Sequence, residues 1–468
     1  DYKWIRVLYQ SYQDDDRPIV SGTLNAPESK PETKPNRPNS EQSKEHDRSS
    51  GIKKSNDVSI TKHFEEEQAD ISRIVWPSYV REDYGAALKK LIDVIAIQPD
   101  NWEAYALMVD VMIQSGLETN ISEHLRHLEE RTDLPAWVVA LIGSGYLSSG
   151  DLSCAAEFAE QALAMNVECA RAWDLKGVLA YRNGDPDAAK EYFTRAAKAD
   201  EKWGEPWTNL GSVYWELGNH QKALINFERG FSLSPTAPNV ATVYHAVVSE
   251  TGQYERAKPL FEDVVERYPD FKKTRYLLID ILIRLEAYTD ALIQIEILVG
   301  RFGTDPQLLE AAKAVRDKVG PATIQKDKHP SLSLCMIVKN EEKYLPRCLD
   351  SLKPLVDEMI VVDTGSTDAT RDIAEVFGAK VFDFEWNDDF AAARNHSLEQ
   401  ATGDWILVMD ADEVIAPKDH QRVMELLDQT TSEFSSAYLM TTRNYTDRHD
   451  DVEFVKNAGE YDIEKGDG

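Results

Sequence analysis

The sequence predicts a helical repeat solenoid followed by an α/β domain built on a parallel sheet, and two observations carry that prediction. Gly116, Gly150, Gly184, Gly218 and Gly252 fall 34 residues apart, which marks a repeated helical unit. Three short apolar runs, Leu332 to Val338, Met359 to Val362 and Trp405 to Met409, each end in a polar or acidic cluster, with helix-like segments between them. Continuous apolar runs alternating with amphipathic helices indicate βαβ units and a sheet covered on both faces. In open sheets of that kind ligands bind beyond the carboxyl ends of the strands, where all three clusters fall.

In chain order, residues 1–13 hold Tyr2, Trp4, Tyr9 and Tyr12 and form a short segment with no assigned role. They lack an initiator Met and the apolar core of a signal peptide, so a fragment of a longer chain is one reading. Residues 14–60 are Pro, Ser, Lys, Glu, Asn and Asp with almost no large apolar side chains. Such a composition buries too little surface to offset ordering entropy, which predicts a disordered linker. The helical array is expected over 79–319, a polar linker with Pro321 and Pro330 over 320–330, and the α/β domain over 331–468.

Composition narrows the class. A length of 468 residues suggests two to four domains, and a hydrophobic fraction of 42% supports real cores. No run of eighteen apolar residues exists, so no transmembrane segment is expected. A formal charge of −30 argues against nucleic acid or an anionic membrane as a nonspecific partner. Cys154, Cys169, Cys335 and Cys348 form no Cys-x-x-Cys pair. They read as buried free thiols in a reducing, cytoplasmic setting rather than as a Cys335–Cys348 disulfide.

Within the array, Ala155, Ala189, Ala223, Ala257 and Ala291 keep the register, Ile121 filling the slot before them, while Phe193, Phe227 and Phe261 repeat in step. A large residue, a turn glycine, then Ala and an aromatic at this period is the tetratricopeptide (TPR) pattern. Glycine ends the first helix and alanine lets the second pack closely against it. Six units are expected from Trp102 to Gly303, a single helix near Ala86 to Gln98 before them and a cap over Asp305 to Val319. One hairpin cannot bury its own apolar face, so the units stack and leave a concave groove. That groove suits a protein or peptide partner; the competing reading is an oligomerisation or spacer module. Trp137, Trp173, Trp207 and Trp215 are expected to be core fillers.

The second half offers a denser set of motifs: Met336-Ile337-Val338-Lys339-Asn340-Glu341-Glu342, Ile360-Val361-Val362-Asp363-Thr364-Gly365-Ser366-Thr367-Asp368, Phe390-Ala391-Ala392-Ala393-Arg394-Asn395, Gly403-Asp404-Trp405-Ile406-Leu407 and Asp410-Ala411-Asp412. In this order and spacing they resemble the family 2 glycosyltransferases over roughly residues 331–445, about a quarter of the chain. The resemblance implies a GT-A, Rossmann-like fold that binds a nucleotide-sugar donor. It implies that Asp363 meets the base or ribose, that Val338, Lys339 and Asn340 line the donor loop, and that Arg394 contacts the nucleotide or diphosphate. Asp412 is implied as the main ligand of a divalent cation, Mn or Mg, with Asp410 reaching the ribose or the metal. Such a cation, shared between carboxylates and a diphosphate, would offset charge on the leaving group.

Each of these residues also has a plainer reading. Asp410 and Asp412 are either two carboxylates pointing the same way from an extended segment or a solvated loop pair. Ser366, Thr367 and Asp368 suit a helix N-cap, Glu341 and Glu342 suit a first helical turn, and Arg394 suits an ion pair with Asp388 or Asp389. Thr364 stands where many relatives have a second acid. Asn340 is expected to bond its own backbone, and Glu413 either orients the Asp410 turn or lies on the surface.

An inverting transfer needs a carboxylate to deprotonate the acceptor hydroxyl. After Asp412 only 56 residues follow, giving a helix near Val423 to Leu427, a strand over Ala437 to Thr442 and an acidic tail with Asp450, Asp451, Glu453 and Glu460. None of these acids sits in a recognisable motif, so the catalytic base stays unassigned and the domain reads as its donor half, truncated at the C-terminus. The function expected is metal-dependent transfer of a sugar from a nucleotide donor to a protein, peptide or cell-envelope glycan, with inversion. The alternative is a TPR scaffold whose transferase domain is incomplete and inactive.

Overall fold

The structure, a computed structural model, describes residues 71–320 and 330–429. The segments expected over 1–13 and 14–60, most of the 320–330 linker, the Ala437–Thr442 strand and the acidic tail lie outside the described residues. The chain divides into two compact units at Val240/Ala241, inside the helical array.

Among the described residues the first unit is helical: α1 Ile71–Val80, α2 Tyr84–Ile97, α3 Trp102–Gln114, α4 Ile121–Leu125, α5 Ala136–Ser148, α6 Leu152–Met165, α7 Ala170–Arg182, α8 Pro186–Ala199, α9 Glu205–Glu216 and α10 His220–Leu233. The helix expected alone before the first repeat has a partner in α1, so the array starts with a hairpin. The hairpins after it in this unit turn on glycine. Gly116, Gly150, Gly184 and Gly218 all take positive φ, which glycine does without a Cβ clash. The residue after three of them caps the next helix: Asp151, Asp185 and Asn219 accept the backbone N–H groups of Cys154, Ala188 and Lys222.

Between hairpin helices the register alanines Ala155, Ala189 and Ala223 are fully buried. A second device, not read from the sequence, lies on the facing helix. A Cβ on Gly177 would stand 2.5 Å from the Phe193 ring, and one on Gly211 would stand 2.8 Å from that of Phe227. The repeated phenylalanines therefore lie flush against bare backbone. Trp137, Trp173, Trp207 and Trp215 are half-buried, and Trp207 packs against the core around Phe193 and Leu210. Three of them carry cations, with Arg171 over Trp137, Arg195 over Trp173 and Arg229 over Trp207 at 5.6, 4.6 and 3.8 Å.

The second unit opens with five helices, α11 Val240–Thr251, α12 Tyr254–Arg267, α13 Lys272–Arg284, α14 Tyr288–Phe302 and α15 Pro306–Val319. It continues as β1 Leu332–Val338, α16 Leu345–Leu352, β2 Glu358–Asp363, α17 Thr370–Val376, β3 Lys380–Asp383, α18 Phe390–Glu399, β4 Trp405–Val408 and α19 Pro417–Gln429. The strands pair in parallel in the order β3-β2-β1-β4, with Val338 opposite Asp363 and Cys335 opposite Val408. β1 and β2 are buried almost throughout, as their apolar runs require, while β3 and β4 are half-exposed edges. β3 was not anticipated, because Lys380-Val381-Phe382-Asp383 has only two apolar residues. The order reverses at β1, so the crevice between the ends of β1 and β4 is the switch point where such sheets bind ligands.

The last helices of the array pack on those of the sheet domain, α14 against α16 and α15 against α17. All four cysteines are free, and Cys154 is half-buried where the other three are buried. Among the described residues, no helix is long and apolar enough to cross a membrane.

Candidate donor site

The first two strand ends form one structure. Val338 is buried, and its carbonyl accepts both the N–H and the hydroxyl of Thr364, each at 3.0 Å. Two donors use both lone pairs, so the Val338 carbonyl holds the β2 loop. Thr364, where an acid was noted as missing, is therefore the clasp between β1 and β2. Lys339 and Asn340 stay exposed. Asn340 sits in the left-handed region at φ 57, which Asn tolerates better than most residues. Its side chain reaches across rather than to its own backbone: Oδ1 accepts Thr367 N–H at 2.8 Å, while its N–H donates to Ser366 Oγ at 2.9 Å.

The remaining links follow the same pattern. Glu341 N–H donates to Thr370 Oγ1, Glu342 N–H to Asp368 Oδ2, and Ala369 N–H to Glu342 Oε2. Glu341 and Glu342 thus stitch two loops and are not first-turn acids, since α16 starts only at Leu345. Asp368 accepts from the N–H and hydroxyl of Thr370 just ahead of α17, whose N-cap position, Ala369, has no side-chain cap, so the N-cap reading of Asp368 does not hold. Asp363, almost fully buried, turns Oδ1 onto the N–H groups of Gly365 and Ser366 at 3.2 and 2.9 Å. The carboxylate is thereby fixed at the floor of the loop.

After β4 the chain turns instead of staying extended. Glu413 N–H donates to the Asp410 carbonyl, and Asp410 N–H donates to Glu413 Oε2 at 3.1 Å. Asp410 and Asp412 are exposed on either side of buried Ala411, and Glu413 orients the turn. Beneath it, the Cys348 thiol donates to the Asp410 carbonyl at 3.6 Å. Burial, then the charges of Glu413, Asp412 and Asp410, push that thiol up to about 12, so Cys348 is a packing residue and no nucleophile.

Arg394 comes from α18, which sits close on the sheet because Ala393 and Ser397 are fully buried and the Cys335 thiol donates to the Ser397 carbonyl. Its Nη2 donates to Asp410 Oδ1 at 3.1 Å, whereas Asp389 caps α18 and Asp388 accepts from the Trp386 indole. The expected alternative partners are thus engaged elsewhere. Arg394 Nη1 is buried with no hydrogen-bond partner in the described residues. A buried, unused guanidinium N–H costs about 1–3 kcal/mol, and an anion such as a phosphate oxygen would satisfy it.

The acids of the three loops share one field. Burial, then the charges of Asp412, Asp368 and Asp410, raise the Glu341 carboxyl above its usual range. Among the described residues, no group of three His, Cys, Asp or Glu side chains is arranged to hold a metal alone. A cation at Asp410 and Asp412 would draw its other ligands from diphosphate oxygens and water, a donor set that suits Mg²⁺ or Mn²⁺.

Comparison with known proteins fits this layout. The family model "Glycosyl transferase family 2" matches residues 333–452, and a tetratricopeptide-repeat model matches 141–206, 175–238 and 249–306. A TPR repeat-containing protein of Synechococcus elongatus is 54% identical over 98 residues, 21% of this chain and 24% of that protein. The glycosyltransferase SunS of Bacillus subtilis is 36% identical over 107 residues, 22% of this chain and 25% of its own. An uncharacterized glycosyltransferase of Rickettsia typhi is 39% identical over 85 residues, 18% of this chain and 29% of its own. The chain spans about a quarter of the length of the curated relatives it matches. Residues 333–452 are thus a family 2 glycosyl transferase domain, carried behind an array of tetratricopeptide repeats.

Proposed function

We propose that this chain transfers a sugar from a nucleotide-sugar donor, in a reaction that depends on Mn²⁺ or Mg²⁺ and inverts the anomeric carbon. The observation that carries the reading is Arg394, with one amine on Asp410 and the other buried without an acceptor at the edge where β1, β2 and β4 end. In this scheme the unused N–H of Arg394 would go to the donor diphosphate, and Asp412 would hold the cation, with Asp410 held ready by Arg394 and Glu413. The cation, when bound, offsets charge on the leaving diphosphate. Asp363, Lys339 and Asn340 line the nucleoside end. The acceptor is a protein, peptide or cell-envelope glycan, the TPR groove engages a protein or peptide partner, and the setting is the cytoplasm.

Calorimetric titration of nucleoside diphosphates, with and without Mn²⁺, tests this reading. The wild-type protein should bind one of them in a metal-dependent way. Asp412→Ala should abolish the metal dependence, and Arg394→Met should weaken binding about 10- to 100-fold, the worth of one charged hydrogen bond. Absence of nucleotide binding to folded protein would refute it and leave the solenoid as the functional part.

A further inference from the structure

The end of the solenoid is built into the support of this site. Helix α15 carries Lys313 and Arg316 one turn apart, and both reach α17. Lys313 pairs with Asp372 and lies 3.8 Å from Glu375. Arg316 donates to the Val376 carbonyl from Nε at 3.0 Å and from Nη2 at 2.6 Å, so it caps the end of α17. Behind it, Nη2 also donates to Glu296 of α14 at 2.7 Å. Glu296 is buried and takes Lys353, the residue after α16, as its second cation. The guanidinium is therefore fixed by a carboxylate on one side and spent on a helix terminus on the other. Gly378, at φ +86, leaves room for it: a Cβ there would stand 3.2 Å from Nη2.

The other end of α17 leads into the donor loops. Thr370, its first residue, receives Glu341 N–H at 2.7 Å and bonds Asp368, which in turn receives Glu342 N–H. A helix of seven residues cannot hold its own shape. Its two ends are secured by different parts of the chain, one by the solenoid and one by the loops.

We propose that Arg316 is a positioning residue for the donor site: acting through α17, it keeps the 363–370 loop, and with it Asn340 and Glu341, in place over Asp363. Arg316 touches no donor group, and calling the loops a donor site rests on the function proposed above. The last TPR helix is then a part of the transferase, so strain in the final repeats reaches the donor loops.

The test is amide hydrogen exchange on the full chain. Arg316→Ala should speed exchange in segments 339–342 and 363–370 about tenfold. Arg316→Lys, which keeps the charge beside Glu296 but offers Val376 fewer donors, should restore part of the protection. Phe261→Leu, in buried packing of the same unit, serves as a control matched for loss of Tm and should leave those segments unchanged relative to the rest. Nucleoside diphosphate affinity, measured well below Tm, should fall about five- to tenfold in Arg316→Ala only. Equal exchange in wild type and Arg316→Ala, or an equal rise in the matched control, overturns the proposal. If wild-type protein binds no nucleotide, the donor-site reading fails, while exchange still decides whether Arg316 holds the loops.

Discussion

Replacing Glu358 by Gln should loosen the sheet at the end opposite the site, and the size of the effect follows from its surroundings. Glu358 opens β2 and is buried. One oxygen receives the Ser333 hydroxyl at 2.6 Å and the N–H and hydroxyl of Thr402 at 2.5 and 2.9 Å; the other receives Lys380 Nζ at 2.8 Å. This carboxylate therefore joins β1, β2, β3 and the approach to β4. Burial alone would raise its pKa, but Lys380, Ser333 and Thr402 outweigh burial and bring it from 4.5 to about 2. A shift of that size corresponds to about 3 kcal/mol of stability. Because the folded value is depressed, the contribution is complete above the unfolded pKa and is lost as pH falls through the folded one. Glu358→Gln should therefore cost about 3 kcal/mol at pH 7, or roughly 6–12 °C in Tm. By pH 3 the gap to wild type should shrink to about half or less. Thermal melts of both proteins at pH 7, 5 and 3 read this directly. A gap below about 1 kcal/mol at pH 7, or one that stays constant down to pH 3, would refute the account.

Two further predictions concern the solenoid. Glu286 stands 34 residues after Gly252 and holds the same positive φ, 56° against 66°. Glu286→Gly should relieve left-handed strain and stabilise by about 0.5–1 kcal/mol in a denaturant melt, and a loss of stability would count against it. Asp110, on α3, has no hydrogen-bond partner in the described residues, and burial, more than the opposing pull of Arg171, raises its carboxyl to about 7. Its stabilising contribution is complete below the unfolded pKa and is lost as pH rises through 7, so wild-type stability should decline between pH 4 and 8. Asp110→Asn should flatten that decline, by on the order of 2 kcal/mol at pH 8, and an unchanged pH profile would show that the carboxylate is well solvated.

What the sequence disclosed follows from how local each determinant is. The repeat was legible because glycine at a left-handed turn and alanine under a neighbouring helix are demands placed on single positions, and they recur with the period. The same logic hid part of the pattern: Glu82 and Glu286 take the glycine conformation without being glycine, so the geometry repeats where the residue type does not. β1, β2 and β4 were legible as apolar runs, whereas β3, an edge strand needing one buried face, has too few apolar residues to register. At the site, residue types located the strand ends but not their bonds. Asn340 to Thr367, Thr364 to Val338 and Arg394 to Asp410 are pairs whose partners lie 27, 26 and 16 residues apart. Three of these side chains also had a satisfactory local use, Asn340 on its own backbone, Thr367 as a cap and Arg394 in a neighbouring ion pair. The contact of solenoid and sheet is the extreme case. Arg316 and Val376 are 60 residues apart and Glu296 and Lys353 are 57, and in the sequence each charge looks like one more solvated helix residue. Only the fold shows that Glu296 is buried and that Arg316 ends another helix. Linker composition reports only on the chain between the array and the sheet, and the charges that join them are set by packing.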